Sequence, residues 1–299
     1  FMRGLSSRLE SVKDKIQMEK IDLVSDFKKL KEISVDVDTI YHLAAINGTE
    51  NFYNHSDLVL DVGVYGMLNV LNATESNHIK KLIVASSAEV YQTPDHIPTS
   101  ENVPLVIPNP MEPRYSYGAS KIISEQLTLA YLRSDRIEDA SIFRPHNIYG
   151  PDMGLKHVIP QFLKKALDIE LDNFNSTFKM QGDGSETRSF CYVDDLVSGI
   201  KILMDKGLSG EIYHLGTQEE KSIMDIFNII NNYFSNNLEI EYQELTQGST
   251  KRRCPSITKA SEIGFKPEIF IEEGIKRTFD WYKFCLSLIH ISEPTRRTS

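Results

Sequence analysis

The sequence predicts an α/β protein built on a doubly wound parallel sheet, followed by a smaller C-terminal lobe. Three observations lead there. Residues 39–44, 82–86 and 140–144 are short, nearly continuous apolar runs, the pattern of strands buried on both faces of a parallel sheet. Between them, residues 61–77 carry Val64, Met67, Leu68 and Leu71 at helical spacing, and residues 117–133 do the same with Ile122, Leu127 and Leu129. Strand and helix therefore alternate, as parallel strands require, since each crossover back to the same sheet edge needs a connection about a dozen residues long.

Taken in chain order, residues 16–23 read as an earlier strand, and the segments above come after it as strand, helix, strand, helix, strand. After Tyr149-Gly150-Pro151 the alternation loosens into Pro- and Gly-punctuated loops, a helix at 157–167, a polar stretch to Gly184, and helices at 194–206 and 222–234. The division this implies is 1–150 for the sheet domain and 151–284 for the second lobe, with some elements of the latter returning to the sheet. An amphipathic helix is expected to close at Phe284. The string from 285 to 299, including Ile289-His290-Ile291-Ser292-Glu293-Pro294, resembles a translated sequencing adapter and is expected to be a non-native tail.

Composition excludes several classes. With 299 residues, 40% hydrophobic and 25% charged, the chain is neither disordered nor fibrous. Its formal net charge of -9 repels phosphate backbones and anionic lipid, which argues against nucleic acid as a partner. No apolar run approaches the roughly 20 residues that cross a bilayer, so no membrane span is expected. Cys191, Cys254 and Cys285 form no CxxC and leave an odd count, which gives no support to a disulfide framework or a thiolate metal site. Together with the lack of a charged-then-apolar leader, this leads to an expectation of a cytoplasmic protein.

The residues that can do chemistry gather at predicted strand ends, where open α/β sheets bind their ligands. Tyr117-Gly118-Ala119-Ser120-Lys121 puts a phenol and an ammonium on one helix face. Tyrosine, with an ordinary pKa of about 10, needs such a cation to act as a base near neutrality. Strand 82–86 runs into Ser86-Ser87-Ala88-Glu89-Val90-Tyr91, which offers two hydroxyls and a carboxylate, although serines there also serve as turn or helix caps. Arg144-Pro145-His146-Asn147 ends the next strand at the same edge.

These segments occur in a fixed order: His42-Leu43-Ala44-Ala45, Ser86 to Tyr91, Tyr117 with Lys121, Arg144-x-x-Asn147-x-Tyr149-Gly150-Pro151, and Gly182-Asp183-Gly184-x-x-x-Arg188-Ser189-Phe190-x-Tyr192-Val193-x-Asp195. The chain in this respect resembles the extended short-chain dehydrogenase/reductases, the family of NAD-dependent nucleotide-sugar epimerases, dehydratases and decarboxylases. The resemblance implies a Rossmann-like sheet, NAD as cofactor, a nucleotide-diphosphate sugar as substrate, and a homodimer. It implies that Asp22 and Leu23 contact the adenine and that Ala44 and Ala45 line the cofactor. Ser87 would hydrogen-bond the reacting sugar hydroxyl, Tyr117 would be the base, and Lys121 would hold the ribose and lower the tyrosine pKa. Asn147, Arg188 and Arg253 would bind the diphosphate, a role to which the guanidinium fork is suited.

Two departures from the family stand out. No G-x-x-G-x-x-G or G-x-G-x-x-G occurs in the sequence, which predicts that the first βαβ unit, roughly 30 to 50 residues, is missing from the N-terminus and that this fragment binds NAD weakly and is inactive. Gly63 stands where many 4-epimerases have asparagine, so the usual support of the active-site serine is expected to be absent.

The family's shared step is oxidation at the sugar C4, and the fate of the resulting keto sugar distinguishes its members. A 4,6-dehydratase needs an acid and a base side by side, and beside Glu89 stands only Ala88. Glu89 and residues 182–195 resemble UDP-glucuronate decarboxylases. The loop 144–151 is nearer to GDP-mannose 3,5-epimerases, which have cysteine at the Glu89 position. The expected activity is epimerisation at C4 through a transient 4-keto sugar, with the decarboxylase and the dehydratase as alternatives within the family. A non-catalytic Rossmann-like NAD-binding protein is the alternative of another class.

Overall fold

The three apolar runs of the first half become neighbouring parallel strands. The structure, a computed structural model, describes residues 6–155, 157–172, 177–234, 238–244 and 251–292. After a 3₁₀ segment at Ser6–Lys15 come α1 (Phe27–Ile33), β1 (Thr39–His42), α2 (Thr49–Asn54), α3 (Ser56–Ser76), β2 (Lys81–Ala85), α4 (Ser116–Arg133), β3 (Ala140–Pro145) and β4 (Ile148–Tyr149). The second half forms α5 (Val158–Asp172), β5 (Thr177–Gln181), β6 (Thr187–Ser189), β7 (Cys191–Tyr192), α6 (Val193–Lys206), β8 (Ile212–Leu215), β9 (Glu220–Ser222), α7 (Ile223–Asn231), β10 (Glu239–Gln243), β11 (Arg252–Arg253), α8 (Thr258–Glu262) and α9 (Ile271–Ser292).

The main sheet runs β1-β2-β3-β8, every pair parallel, with Ile40 opposite Leu82, Val84 opposite Ile142, and Phe143 opposite Tyr213. Both faces are covered. Leu82, Val84 and Ile142 pack with Met67, Val70 and Leu71 of α3, whereas Ile83 and Phe143 point the other way, toward Leu203 of α6 and Phe265. That alternation explains the continuous apolar runs: successive side chains enter two different cores. A third core lies in the second half, where Ile159 and Leu163 of α5, Phe178 and Met180 of β5, Ile226 and Ile230 of α7, and Ile275 and Phe279 of α9 meet. Ser222 and Asp225 start α7 with a reciprocal capping box.

Three readings of the sequence are corrected. Residues 16–23 do not form a strand: the Asp22 carboxylate accepts from the backbone N–H of Val24 at 2.8 Å, turning the chain, and Leu23 and Val24 give their carbonyls to Asn69 of α3 at 2.7 and 3.1 Å. A side chain that captures the backbone in this way competes directly with a strand ladder. The polar stretch before Gly184 contains β5, whose alternating Phe178 and Met180 are buried among exposed neighbours. The last helix passes Phe284 and runs on to Ser292, while 293–299 of the predicted tail lie outside the described residues. Among the described residues no helix is long and apolar enough to cross a membrane.

The α3–α4 crossing bears on the site. A Cβ on Gly63 would lie 2.5 Å from Ser120 Cβ, and Ser124 Oγ donates to Gly63 O at 3.0 Å. The glycine lets α4 lie directly on α3, and the hydroxyls of α4 replace whatever a longer side chain at 63 would support.

Candidate active site

The C-terminal ends of β2 and β3 and the first turn of α4 open onto a cavity of about 460 Å³, lined in part by Phe52, Ser87, Glu89, Tyr117, Asn147 and Arg253. β2 delivers Ser87, whose hydroxyl accepts from Glu89 N at 3.2 Å and so caps the 3₁₀ turn Ala88–Val90. The capping role and a functional role are compatible, because Ser87 also lines the cavity with Tyr117, where it acts to lower the phenol pKa. A 3₁₀ turn, Pro113–Tyr115, leads into α4 and places Tyr117 at its second residue.

Lys121 follows one turn later. It is buried, donates to Ala85 O at 2.7 Å, and lies 5.8 Å from the centre of the Tyr117 ring. Burial pushes its pKa down to about 8, against the pull of the Glu125 carboxylate. Burial likewise pushes Tyr117 up to about 12; the Ser87 hydrogen bond works against the rise and the Glu89 charge adds to it. The ammonium is turned to a backbone carbonyl, and desolvation of the phenol outweighs the groups that pull the other way.

Glu89 has a partner that no sequence spacing suggested. Arg253, 164 residues away, donates to its carboxylate at 2.6 Å and to Gln92 O at 3.3 Å. The link is made by β11 pairing with β6 in parallel, so that Arg253 and Arg188 are register partners. Arg188 does not line the main cavity. It borders a neighbouring recess with Lys165, Gln181, Glu186 and Gln243, and donates to Thr187 O at 2.7 Å. Burial first, and then the charge of Arg253, lowers its pKa to about 10. Asn147 adopts a left-handed φ of 41° and donates from Nδ2 to Ser189 O at 3.1 Å, which orients it into the cavity wall.

Of the residues expected to contact the cofactor, Tyr117 lines this cavity, whereas Asp22, Leu23, Ala44 and Ala45 lie apart from it. Ala44 and Ala45 follow β1 at the same sheet edge, Ala44 exposed and Ala45 half-buried. Asp22 is exposed in its turn, and Leu23 packs toward Gly66 of α3, 3.4 Å from where a Cβ there would sit.

Sequence reasoning missed two features. Phe52 of α2 stacks on Tyr117, ring centres 5.4 Å apart and planes 16° from parallel. Beneath the floor, Glu125 accepts from Ser86 Oγ and takes a bidentate pair of bonds from Arg144 at 2.8 and 2.6 Å, with both side chains buried. Glu125 had a signal, since Tyr117, Lys121 and Glu125 are spaced i, i+4, i+8 on one helix face. Phe52 had none: it sits in a short polar helix with no buried residue.

A parallel α/β sheet carrying a serine at one strand end and a Tyr-x-x-x-Lys helix beside it defines the class of the extended short-chain dehydrogenase/reductases. Within that class the chain belongs to the NAD dependent epimerase/dehydratase family, which matches residues 3–216. It is 33% identical over 284 residues to a candidate UDP-glucose 4-epimerase of Methanocaldococcus jannaschii, covering 94% of this chain and 86% of that protein. It is 30% identical to UDP-glucuronic acid decarboxylase 1 of Xenopus tropicalis, covering 93% of this chain and 64% of the longer relative. Among solved structures, the dTDP-glucose 4,6-dehydratase DesIV of Streptomyces venezuelae with NAD bound superposes with a TM-score of 0.83 at 25% identity, over 95% of this chain and 85% of that one.

Proposed function

We propose that the protein is an NAD-dependent nucleotide-sugar 4-epimerase acting through a transient 4-keto sugar. The observation that carries the reading is that Ser87 and Tyr117 share a cavity with a Glu89–Arg253 ion pair. The hydroxyl and the phenol supply a path for the proton of the C4 hydroxyl. The ion pair presents no net charge to the sugar, which suits a neutral hexose.

NAD held at this sheet edge by Lys121, Ala44 and Ala45 would supply the hydride acceptor, and in reduced form the hydride donor, that reaction at C4 requires. The residues of this chain handle the proton and hold the reactants. Ser87 hydrogen-bonds the C4 hydroxyl and Tyr117 receives its proton; since a pKa of about 12 leaves the phenol protonated at neutral pH, the base needs positive charge beside it, and Lys121 is on the right helix face to supply it. The donor set fits a cofactor at this edge. Lys121 has two N–H bonds beyond the one used on Ala85 O, enough for a ribose diol, and the small side chains of Ala44 and Ala45 permit close approach. Asp22 and Leu23 complete the adenine end. Asn147, Arg188 and Arg253 hold the diphosphate, whose charge would relieve the repulsion between the two guanidiniums. Residues 151–284 act as the substrate lobe. Exposed Leu60 and Tyr65 of α3 and Ile123 of α4 favour pairing of two copies through these helices.

A second reading, decarboxylation of a nucleotide-linked uronate, is favoured by Arg253 itself. It is a cation within the sugar cavity, and a sugar carboxylate displacing Glu89 would find a bidentate partner there. Oxidation at C4 would then make a β-keto acid that loses carbon dioxide. UDP-glucose, UDP-N-acetylglucosamine and UDP-glucuronate, supplied separately with NAD to the chain extended by the glycine-loop βαβ unit that its sequence lacks, and followed by NMR, distinguish the two. Interconversion of C4 epimers of a neutral sugar without NADH accumulation is the expected result. A pentose and carbon dioxide from UDP-glucuronate, with the neutral sugars untouched, would replace the epimerase with the decarboxylase.

A further inference from the structure

α2 is a built element with one inward contact of consequence. Its start is set by Gly48 at a φ of 116°, a conformation that favours glycine; the Asn47 side chain accepts from Gly48 N at 2.6 Å, and Asn51 Nδ2 donates to Asn47 O at 3.0 Å. Its end is set by His55, the one residue separating it from α3. The helix leans on the Pro113–Tyr115 turn that introduces Tyr117, and no residue of α2 is fully buried. Yet Phe52 lies in near-parallel contact with the Tyr117 ring and lines the same cavity.

We propose that Phe52 is a positioning residue for the C4 oxidation: it fixes the plane of the Tyr117 ring so that the phenol oxygen stays on Ser87, and it screens that face of the phenol from water. The inference rests on Tyr117 being the base of the reaction. The ring of Tyr117 has two torsions, and the hydroxyl that shares its cavity, Ser87, can itself rotate. A flat contact on the ring face is what removes the remaining freedom. The same contact contributes to the burial that raises the phenol pKa. A phenol turned away from C4 by even an ångström loses much of its value as a proton acceptor, because proton transfer demands hydrogen-bond distance.

The test compares Phe52→Ala, Phe52→Tyr and Tyr117→Phe with the unaltered protein, using whichever of the three nucleotide sugars above turns over. Phe52→Ala is expected to lower kcat by roughly 10- to 100-fold, with KM for the nucleotide sugar changed less than about 3-fold. The pH at which kcat is half-maximal should fall by roughly one unit, since water reaching the phenol favours its ionised form. Phe52→Tyr, which keeps the ring, should restore kcat to within about 3-fold. Melting temperatures of all variants should agree within a few degrees, because α2 buries no residue. Unchanged kcat and pH midpoint in Phe52→Ala, or a loss confined to KM, would overturn the inference. So would equal losses in the alanine and tyrosine variants. Full activity in Tyr117→Phe would instead overturn the assignment of the base, a result that does not depend on how Phe52 behaves.

Discussion

The two halves of the candidate site are built differently. Ser87 follows β2, and Tyr117 and Lys121 stand on α4, elements anchored in a sheet core, with local contacts that hold them: Glu89 N on Ser87 Oγ, Lys121 Nζ on Ala85 O, and Ser120 of α4 against Gly63. Asn147, Arg188 and Arg253 stand on loops and two- or three-residue strands, joined by the pairing of β11 with β6, by the pairing of β4 with β7, and by the Asn147 side chain on Ser189 O. The first half has the rigidity that proton transfer demands. The second offers adjustable charge, which suits a flexible diphosphate. The difference suggests that chemistry resides in the first half and binding in the second.

The comparison predicts unequal kinetic signatures. In the chain extended by the glycine-loop βαβ unit, Tyr117→Phe should lower kcat by about 10²- to 10⁴-fold with NAD still bound, whereas Tyr115→Phe, in the 3₁₀ turn before α4, should cost little; rate measurements with a titration of NAD check both. Equal losses would mean that the wrong tyrosine carries the chemistry. Gly63→Asn should lower kcat by about 10-fold or more, because a Cβ 2.5 Å from Ser120 forces α4, and Tyr117 with it, away from Ser87. A fully active Gly63→Asn enzyme would break the claim that this half is rigidly set. Arg188→Gln belongs to the other half and should raise KM for the nucleotide sugar about 10-fold while leaving kcat within roughly 3-fold. A loss mainly in kcat would place Arg188 among the chemical groups.

Acid should also destabilise the sheet edge through its buried histidines, His42, His146 and His214, whose pKa values are all lowered, chiefly by burial. His42, at the end of β1, is buried beside Lys121, and burial followed by the Lys121 charge lowers its pKa from 6.5 to about 4. Unfolded, it binds a proton below about pH 6.5; folded, it resists until near pH 4, so its contribution to stability is present above 6.5 and is lost as pH falls through that window. The loss should be on the order of 3 kcal/mol from this residue. Denaturant titrations at pH 7 and 4.5 should show a smaller drop for His42→Gln than for the unaltered protein.

The rigid half was also the legible one. Periodicity located β2 and α4 because apolar side chains entering two cores leave continuous runs and helical spacing, and the i, i+4 relation of Tyr117 and Lys121 comes from the helix alone. The cation beside Glu89 was not legible: only a parallel pairing of short strands brings Arg253 across 164 residues, and such strands carry almost no periodic signal. The reading of 16–23 as a strand failed for a local reason, since Asp22 takes the backbone donor that a ladder would have used. Phe52 was invisible because its value lies in one ring contact made by a helix that buries nothing else.

The central claim is that the Ser87–Tyr117 edge oxidises and then re-reduces C4 of a nucleotide sugar. It is tested most directly with UDP-glucose and UDP-N-acetylglucosamine carrying deuterium at C4. The account predicts that the deuterium reappears at C4 of the epimeric product, with none released to solvent and none left on the cofactor at equilibrium. Deuterium washed into solvent while the epimer forms, or an epimer inverted at a carbon other than C4, would contradict it.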